Sequence, residues 1–255
     1  MDYMDSAFVF LFGLAIGSFL NAAMYRLEVG GNIVSDRSRC PRCGHTLSWY
    51  ELIPLLSFAI QQGRCRACRG PISWQYPLVE LACGALFVLV WWRLPQYWHG
   101  GEAVYLFFVF ASLLTIFVYD LKHYIIPNRV MYPLIAAALL HVWWSGGFVP
   151  AAHPVWSALG AGGFFLFLFL VSKGTWIGFG DVKYGLFMGL FLGFPLILVG
   201  FFFSYCIGAL VSIFLLARKG MALASQIPFG PFLALGTAIA YFWGSDIIQW
   251  YLNIL

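Results

Sequence analysis

The stretch Lys183-Tyr184-Gly185-Leu186-Phe187-Met188-Gly189-Leu190-Phe191-Leu192-Gly193-Phe194-Pro195-Leu196, and the apolar run it opens into as far as Arg218-Lys219, decides the fold. It reads either as two short membrane spans, 183–194 and 196–217, or as one span with a re-entrant turn at Gly193-Phe194-Pro195. Six further apolar runs flank it, over roughly 7–26, 77–94, 103–121, 130–146, 154–172 and 232–253, each near the ~20 residues a bilayer core requires. Charge chooses between the readings, because loops on the cytoplasmic side collect Lys and Arg. With two spans and both termini outside, thirteen of the fourteen basic residues fall on one side, leaving only Arg93. Merging the pair moves Arg218 and Lys219 to the wrong side. The expectation is an all-α polytopic membrane protein of about eight transmembrane helices.

Composition agrees. Of 255 residues, 62% are hydrophobic and 9% charged, with a mean hydropathy of +0.85. A soluble domain carries roughly 25% charged residues, and a disordered one combines low hydrophobicity with high charge. The net charge of +4 follows membrane sidedness and implies no nucleic-acid partner. The N-terminal Met1-Asp2-Tyr3-Met4-Asp5-Ser6 lacks the basic region of a secretory signal, so the first apolar run is expected to stay as a span. The organisation expected is a first span over 1–26, a cytoplasmic loop over 27–76 and a helical bundle over 77–255.

The loop carries Cys40-Pro-Arg-Cys43 and Cys65-Arg-Ala-Cys68. Two Cys-x-x-Cys knuckles at this spacing can wrap four thiolates around one Zn²⁺, with Gly44 and Gly70 permitting the turns. Redox dithiols and disulfides are the competing readings, disfavoured in a reducing cytoplasm. Four cysteines leave no open coordination position, so the zinc is structural, stapling a loop too small for a large core. His45 reads as an exposed loop residue, and Cys83 and Cys206 as small buried apolar residues.

Two acids sit where acids are costly. Asp120 ends the third span in Phe117-Val118-Tyr119-Asp120-Leu121-Lys122, and Asp181 opens the sixth in Gly178-Phe179-Gly180-Asp181-Val182-Lys183. The topology puts both at the cytoplasmic face. An ionisable group at membrane depth calls for a function and a partner, and each aspartate is the other's natural partner. Two carboxyls in one wet pocket share a proton, giving a base for water and an acid for a peptide carbonyl. The bland alternative pairs them with Lys122 and Lys183 at the interface. Asn21 reads as an interhelical hydrogen-bonding residue, and His123 as interfacial.

Together these residues resemble the type IV prepilin peptidase family of bifunctional leader peptidase/N-methyltransferases. Gly17-Ser18-Phe19-Leu20-Asn21 with Tyr25-Arg26-Leu27 is similar to its first-span signature. The paired cysteines, Tyr50-Glu51-Leu52-Ile53-Pro54-Leu55-Leu56-Ser57, Gly63-Arg64-Cys65, Pro71-Ile72-Ser73 and Tyr76-Pro77-Leu78-Val79-Glu80-Leu81 resemble its cytoplasmic loop and second span. Asp120, seven residues before Pro127-Asn128, and the Gly-x-Gly-Asp of 178–181 match its two aspartate motifs. Gln226-Ile227-Pro228-Phe229-Gly230-Pro231 fits its late Pro/Gly turn. Gln61-Gln62, Gln75 and Tyr184 depart from common family choices.

The resemblance implies cleavage of type IV prepilins or pseudopilins after a leader-terminal Gly, with Asp120 and Asp181 as catalytic residues. It further implies methylation of the new N-terminus from S-adenosylmethionine, with Gly63 marking the methyl-donor loop. It places the chain in the bacterial inner membrane, in contact with lipid, and leaves the oligomeric state open. The rivals are a presenilin-like protease, which the knuckles argue against, and a zinc-stapled transporter or scaffold whose aspartates carry ions or protons.

Overall fold

The computed structural model describes residues 3–33, 36–94, 100–146, 154–219 and 227–254. Nine α-helices are present among them: α1 (Tyr3–Glu28), α2 (Leu56–Ile60), α3 (Gln75–Arg93), α4 (Gly100–His123), α5 (Asn128–Trp144), α6 (Pro154–Val171), α7 (Phe179–Leu192), α8 (Leu196–Lys219) and α9 (Gly230–Ile254). Among the described residues no β-strand occurs, only isolated bridges at Arg39–Thr46 and Arg64–Pro71. Every apolar run read from the sequence coincides with a helix. Six of these, α1, α3, α4, α6, α8 and α9, are long and apolar enough to cross a membrane. The remaining two, α5 with 17 residues and α7 with 14, are shorter. Gly193 at φ +65 ends α7, so the stretch 183–217 forms two helices.

The chain divides into two compact units, 1–114 and 115–255. In the first, α1 and α3 meet backbone to backbone. A Cβ on Gly13 would lie 2.7 Å from Gly84 Cα, and one on Gly17 would lie 2.7 Å from Glu80 Cα. Small residues at a helix seam are the usual means of close packing where lipid removes the hydrophobic drive.

In the second unit α7 is the centre. Its buried residues run almost continuously from Asp181 to Leu192, and it packs on α5, α6, α8 and α9. A Cβ on Gly189 would lie 2.3 Å from Ala158 Cα, which fixes α7 against α6. Tyr184 is fully buried and accommodates its hydroxyl by donating to Thr237 Oγ1 at 3.1 Å. The Thr237 proton is itself given to the Leu233 carbonyl, which makes Tyr184 the donor. The structure thereby accounts for a buried tyrosine at this position of the helix. A helix wrapped by neighbours on all sides holds its N-terminal residues at a depth and angle they do not choose themselves.

Candidate functional site

Asp181 stands in the first turn of that central helix. Gly178 precedes it in extended backbone, and the Gly178 N–H donates to Asp181 Oδ2 at 3.0 Å while Asp181 N–H returns to the Gly178 carbonyl at 3.1 Å. This reciprocal pair caps α7 and starts it at Phe179, four residues before the apolar run suggests. Gly180 serves close packing instead, since a Cβ there would lie 3.1 Å from Ile126 Cβ. Ile126 is buried in the connection that follows α4, so Gly180 lets that connection close against the start of α7.

Asp120 lies in the last turn of α4 and is 4% exposed; Asp181 is 8% exposed. The helix stops just beyond Asp120, where Tyr124 takes φ +57 and its N–H closes onto the Asp120 carbonyl at 2.9 Å. The Asp120 carboxylate reaches across to α9, where Oδ2 accepts the Gly230 N–H at 2.9 Å. Gly230 opens that helix, so the carboxylate occupies an N-terminus where backbone N–H groups are otherwise unpaired. The ring of Phe229 holds the turn in place, 5.2 Å from Tyr205 and 6.3 Å from Phe165. Gln226, at the start of this motif, lies outside the described residues.

Asp181 lies within electrostatic reach of Asp120, and Tyr205 within that of Asp181. The structure therefore brings together the two aspartates that the sequence singles out. Neither is paired with Lys122 or Lys183 among the described residues. Lys183 instead donates to Asn128 Oδ1, with its Nζ 5.2 Å from the Tyr132 ring and 5.3 Å from that of Phe179. This buried cation ties the start of α5 to α7. The contact joins the two aspartate motifs through Asn128 and Lys183. Both residues stand in the motifs quoted from the sequence, but their contact does not, because 55 positions separate them.

The Sγ atoms of Cys40, Cys43, Cys65 and Cys68 all lie within 4.8 Å of one another. The knuckles are built alike. Cys40 N–H donates to the His45 carbonyl and Cys65 N–H to the Gly70 carbonyl, at 2.9 and 2.8 Å, each beside one of the bridges. The residue after the second cysteine takes a left-handed backbone in both, Gly44 at φ +71 and Arg69 at φ +55. Gly70, expected to serve that turn, serves packing: a Cβ there would lie 2.8 Å from Arg42 Cδ.

Burial opposes ionisation of Cys40, yet backbone N–H groups of Cys43 and Arg42 and the sulfurs of Cys65 and Cys43 lower its thiol to about 7. On Cys43 the His45 N–H favours the thiolate, but burial and the sulfurs of Cys40 and Cys68 push it up to about 11. Four sulfurs gathered within 4.8 Å, one from each cysteine, form a donor set that fits a tetrahedral Zn²⁺.

Around this cluster, His45 Nε2 lies 3.6 Å from Glu51 Oε2. Gly63 takes φ +67, and a Cβ there would lie 3.1 Å from the Phe58 ring. Its N–H and carbonyl are used by Phe58 and Ile72. Cys83 is fully buried, Cys206 only half-buried, and the His123 ring packs tilted against Tyr119 at 4.4 Å.

Comparison with known proteins fits this arrangement. Residues 11–94 match the family described as Bacterial Peptidase A24 N-terminal domain, and residues 107–213 match the Type IV leader peptidase family. A prepilin leader peptidase/N-methyltransferase of Bacillus subtilis (strain 168) is 36% identical, covering 96% of this chain and 97% of the relative. One from Aeromonas salmonicida (strain A449) is 33% identical over 100% of this chain and 96% of the relative. One from Aeromonas hydrophila is 34% identical, over 99% and 96% respectively. No solved structure matches the chain significantly.

Proposed function

The chain belongs to the type IV leader peptidase family, and on that premise we propose that Asp120 and Asp181 hydrolyse the leader from type IV prepilins or pseudopilins after a glycine. The observation that carries this is two buried carboxyls from distant parts of the chain, within electrostatic reach and each held through Oδ2 by a backbone N–H. One carboxylate takes a proton from water as the water oxygen attacks the peptide carbonyl carbon. The partner, protonated, donates to the carbonyl oxygen. Collapse of the tetrahedral intermediate breaks the C–N bond, and the departing nitrogen takes a proton from the dyad. The products are a leader ending in a carboxyl group and a pilin with a free N-terminal amine.

That amine is the substrate of the second activity, N-methylation from S-adenosylmethionine. When bound, the sulfonium supplies an electrophilic methyl group. The loop residues suit such a ligand: Trp49 and Trp74 are 77% and 70% exposed and offer faces to an adenine, and the buried Glu51, with Glu80 on the adjoining α3, offers charge to a cation. The turn at Gly63, resting on Phe58, whose ring lies 5.0 Å from Trp74, marks the donor loop. Cys40, Cys43, Cys65 and Cys68 would hold a zinc that supplies folding free energy and no open position for catalysis.

The division of labour follows: the loop 27–76 serves methyl transfer, and the bundle 77–255, beyond the first span 1–26, serves cleavage. The active site faces the cytoplasm from the bacterial inner membrane, where basic residues gather. A transporter would need no second aspartate on a backbone N–H of another helix. Incubating the purified protein with a prepilin and labelled S-adenosylmethionine tests both activities separately. Cleavage without label incorporation removes the methyl-transfer reading, and absence of cleavage removes the peptidase.

A further inference from the structure

A second polar site lies in the first unit, in the seam where α1 and α3 touch at Gly17 and Glu80. Ser18 and Asn21 are one turn apart on α1, and Tyr76 and Glu80 one turn apart on α3, so each pair shares a helix face. Asn21 is 3% exposed. Its Nδ2 donates to the Tyr76 carbonyl at 3.0 Å, but its buried Oδ1 has no partner. Glu80 is buried as well, and no cation lies within 4 Å of its carboxylate among the described residues.

The segment after the 3-10 turn Trp49–Leu52 closes over this seam. Ser18 Oγ lies 3.4 Å from the Leu52 carbonyl, and the Leu55 N–H donates to Glu80 Oε2 at 2.8 Å. Leu55 makes that bond from φ +59, a backbone region a leucine rarely adopts. Next to Leu52, Glu51 is buried with Oε2 on the Ser48 N–H and Oε1 without a partner. The nearest arginine on α1, Arg26, is turned away, onto the Ile33 carbonyl and Ser38 Oγ.

The uncommitted chemistry here is therefore one-sided: Asn21 Oδ1 and Glu51 Oε1 accept without a donor, while His45 lies 3.6 Å from the other oxygen of Glu51. A buried acceptor left without a donor costs free energy, and a buried carboxylate without a cation costs more. A ligand bringing positive charge and several N–H donors would relieve both. A hard metal ion would need six or more oxygens, which these residues do not offer.

We propose that Asn21, Glu80 and the closing segment around Glu51 form a binding site for a primary α-ammonium group. The inference rests on the methyl-transfer reading, which supplies two ammonium-bearing molecules: the amino-acid end of S-adenosylmethionine and the new N-terminus of a cleaved pilin. These acceptors suit the ammonium of either molecule.

Equilibrium binding to the full-length protein in lipid nanodiscs distinguishes the sources. One probe pair is labelled S-adenosylmethionine and its deaminated analogue. The other is a labelled peptide of the mature pilin N-terminus, free or N-acetylated. In one pair the ammonium form binds at least about tenfold tighter to the wild type, the size expected of charge-assisted hydrogen bonds. Glu80→Gln and Asn21→Leu erase that preference while prepilin cleavage, which uses neither residue, continues. Glu80→Asp restores part of it.

A wild type indifferent to the amine in both pairs overturns the site, and so does a preference that survives both variants. If a variant fails to fold, seen as lost cleavage, the wild-type comparison decides alone. A wild type that prefers the ammonium but transfers no methyl group would keep the site and sink the methyl-transfer reading.

Discussion

The N–H of Gly230 holds Oδ2 of Asp120 at 2.9 Å across 110 positions of sequence, and a Cβ on Gly230 would stand 2.6 Å from that same oxygen. The glycine is thus both the donor that orients the carboxylate and the gap that admits it.

Gly230→Ala tests that double role. Gly230 has no positive φ, so the methyl group meets only Asp120 among its three nearest contacts. Overpacking of this kind costs roughly 1–3 kcal/mol, and a displaced carboxylate should slow cleavage by about 10–100-fold. In an Asp120→Ala background the clash disappears, so the loss of thermal stability should disappear with it. Tm values around this double-mutant cycle check the coupling. Equal destabilisation in both backgrounds would place the strain elsewhere.

Asn128→Ala removes the acceptor that holds Lys183. The ammonium keeps its two aromatic faces but loses a charge-assisted hydrogen bond worth about 1.5–3 kcal/mol. The variant should melt earlier and cleave more slowly, because α5 and the start of α7 are no longer tied together. Asn128→Asp, which keeps an acceptor, should melt later than Asn128→Ala. An unchanged Tm in Asn128→Ala would show that the contact contributes nothing.

The parts of the molecule differ in how far the sequence reveals them. Helix positions are legible because lipid demands long apolar runs and cytoplasmic loops collect arginine. The four cysteines are legible from spacing alone, since a knuckle is a local structure. Gly70 does not take the left-handed turn expected of it, because the backbone path chooses that residue, and Arg69 takes the turn despite its Cβ. The partners of the aspartates lie beyond sequence reading. Nothing in Gln226-Ile227-Pro228-Phe229-Gly230-Pro231 says that its glycine N–H meets a carboxylate on α4, because that meeting is set by the aromatic packing of Phe229. The orphaned oxygen of Asn21 is likewise a property of the α1–α3 seam.

The metal reading predicts one zinc per chain. Cys→Ser at any of positions 40, 43, 65 and 68 should lower metal content and make the loop sensitive to protease. Binding displaces thiol protons, so affinity rises with pH and falls as Cys40, whose thiol is lowered to about 7, takes up its proton. Elemental analysis after dialysis at graded pH checks both statements. Full zinc retention at pH 5, or freely alkylated cysteines at pH 8 in protein without metal, would contradict them.

Tyr184→Phe removes a buried hydroxyl whose acceptor, Thr237 Oγ1, still donates to the Leu233 carbonyl. The cost should be modest, about 1 kcal/mol, because Thr237 keeps one of its bonds. A thermal melt measures it. Cleavage should be unaffected, since neither residue contacts the aspartates.

The central claim, that Asp120 and Asp181 act as one proton-exchanging pair, is tested most directly by processing of a purified prepilin by Asp120→Asn and Asp181→Asn. Asparagine keeps the size and an oxygen for the Gly230 or Gly178 N–H, so each variant should fold and stay in the membrane. It cannot exchange the proton that attack and departure require. Each variant, shown by its melting curve to be folded, is therefore predicted to release no mature pilin. Near-normal processing by either one would contradict the account.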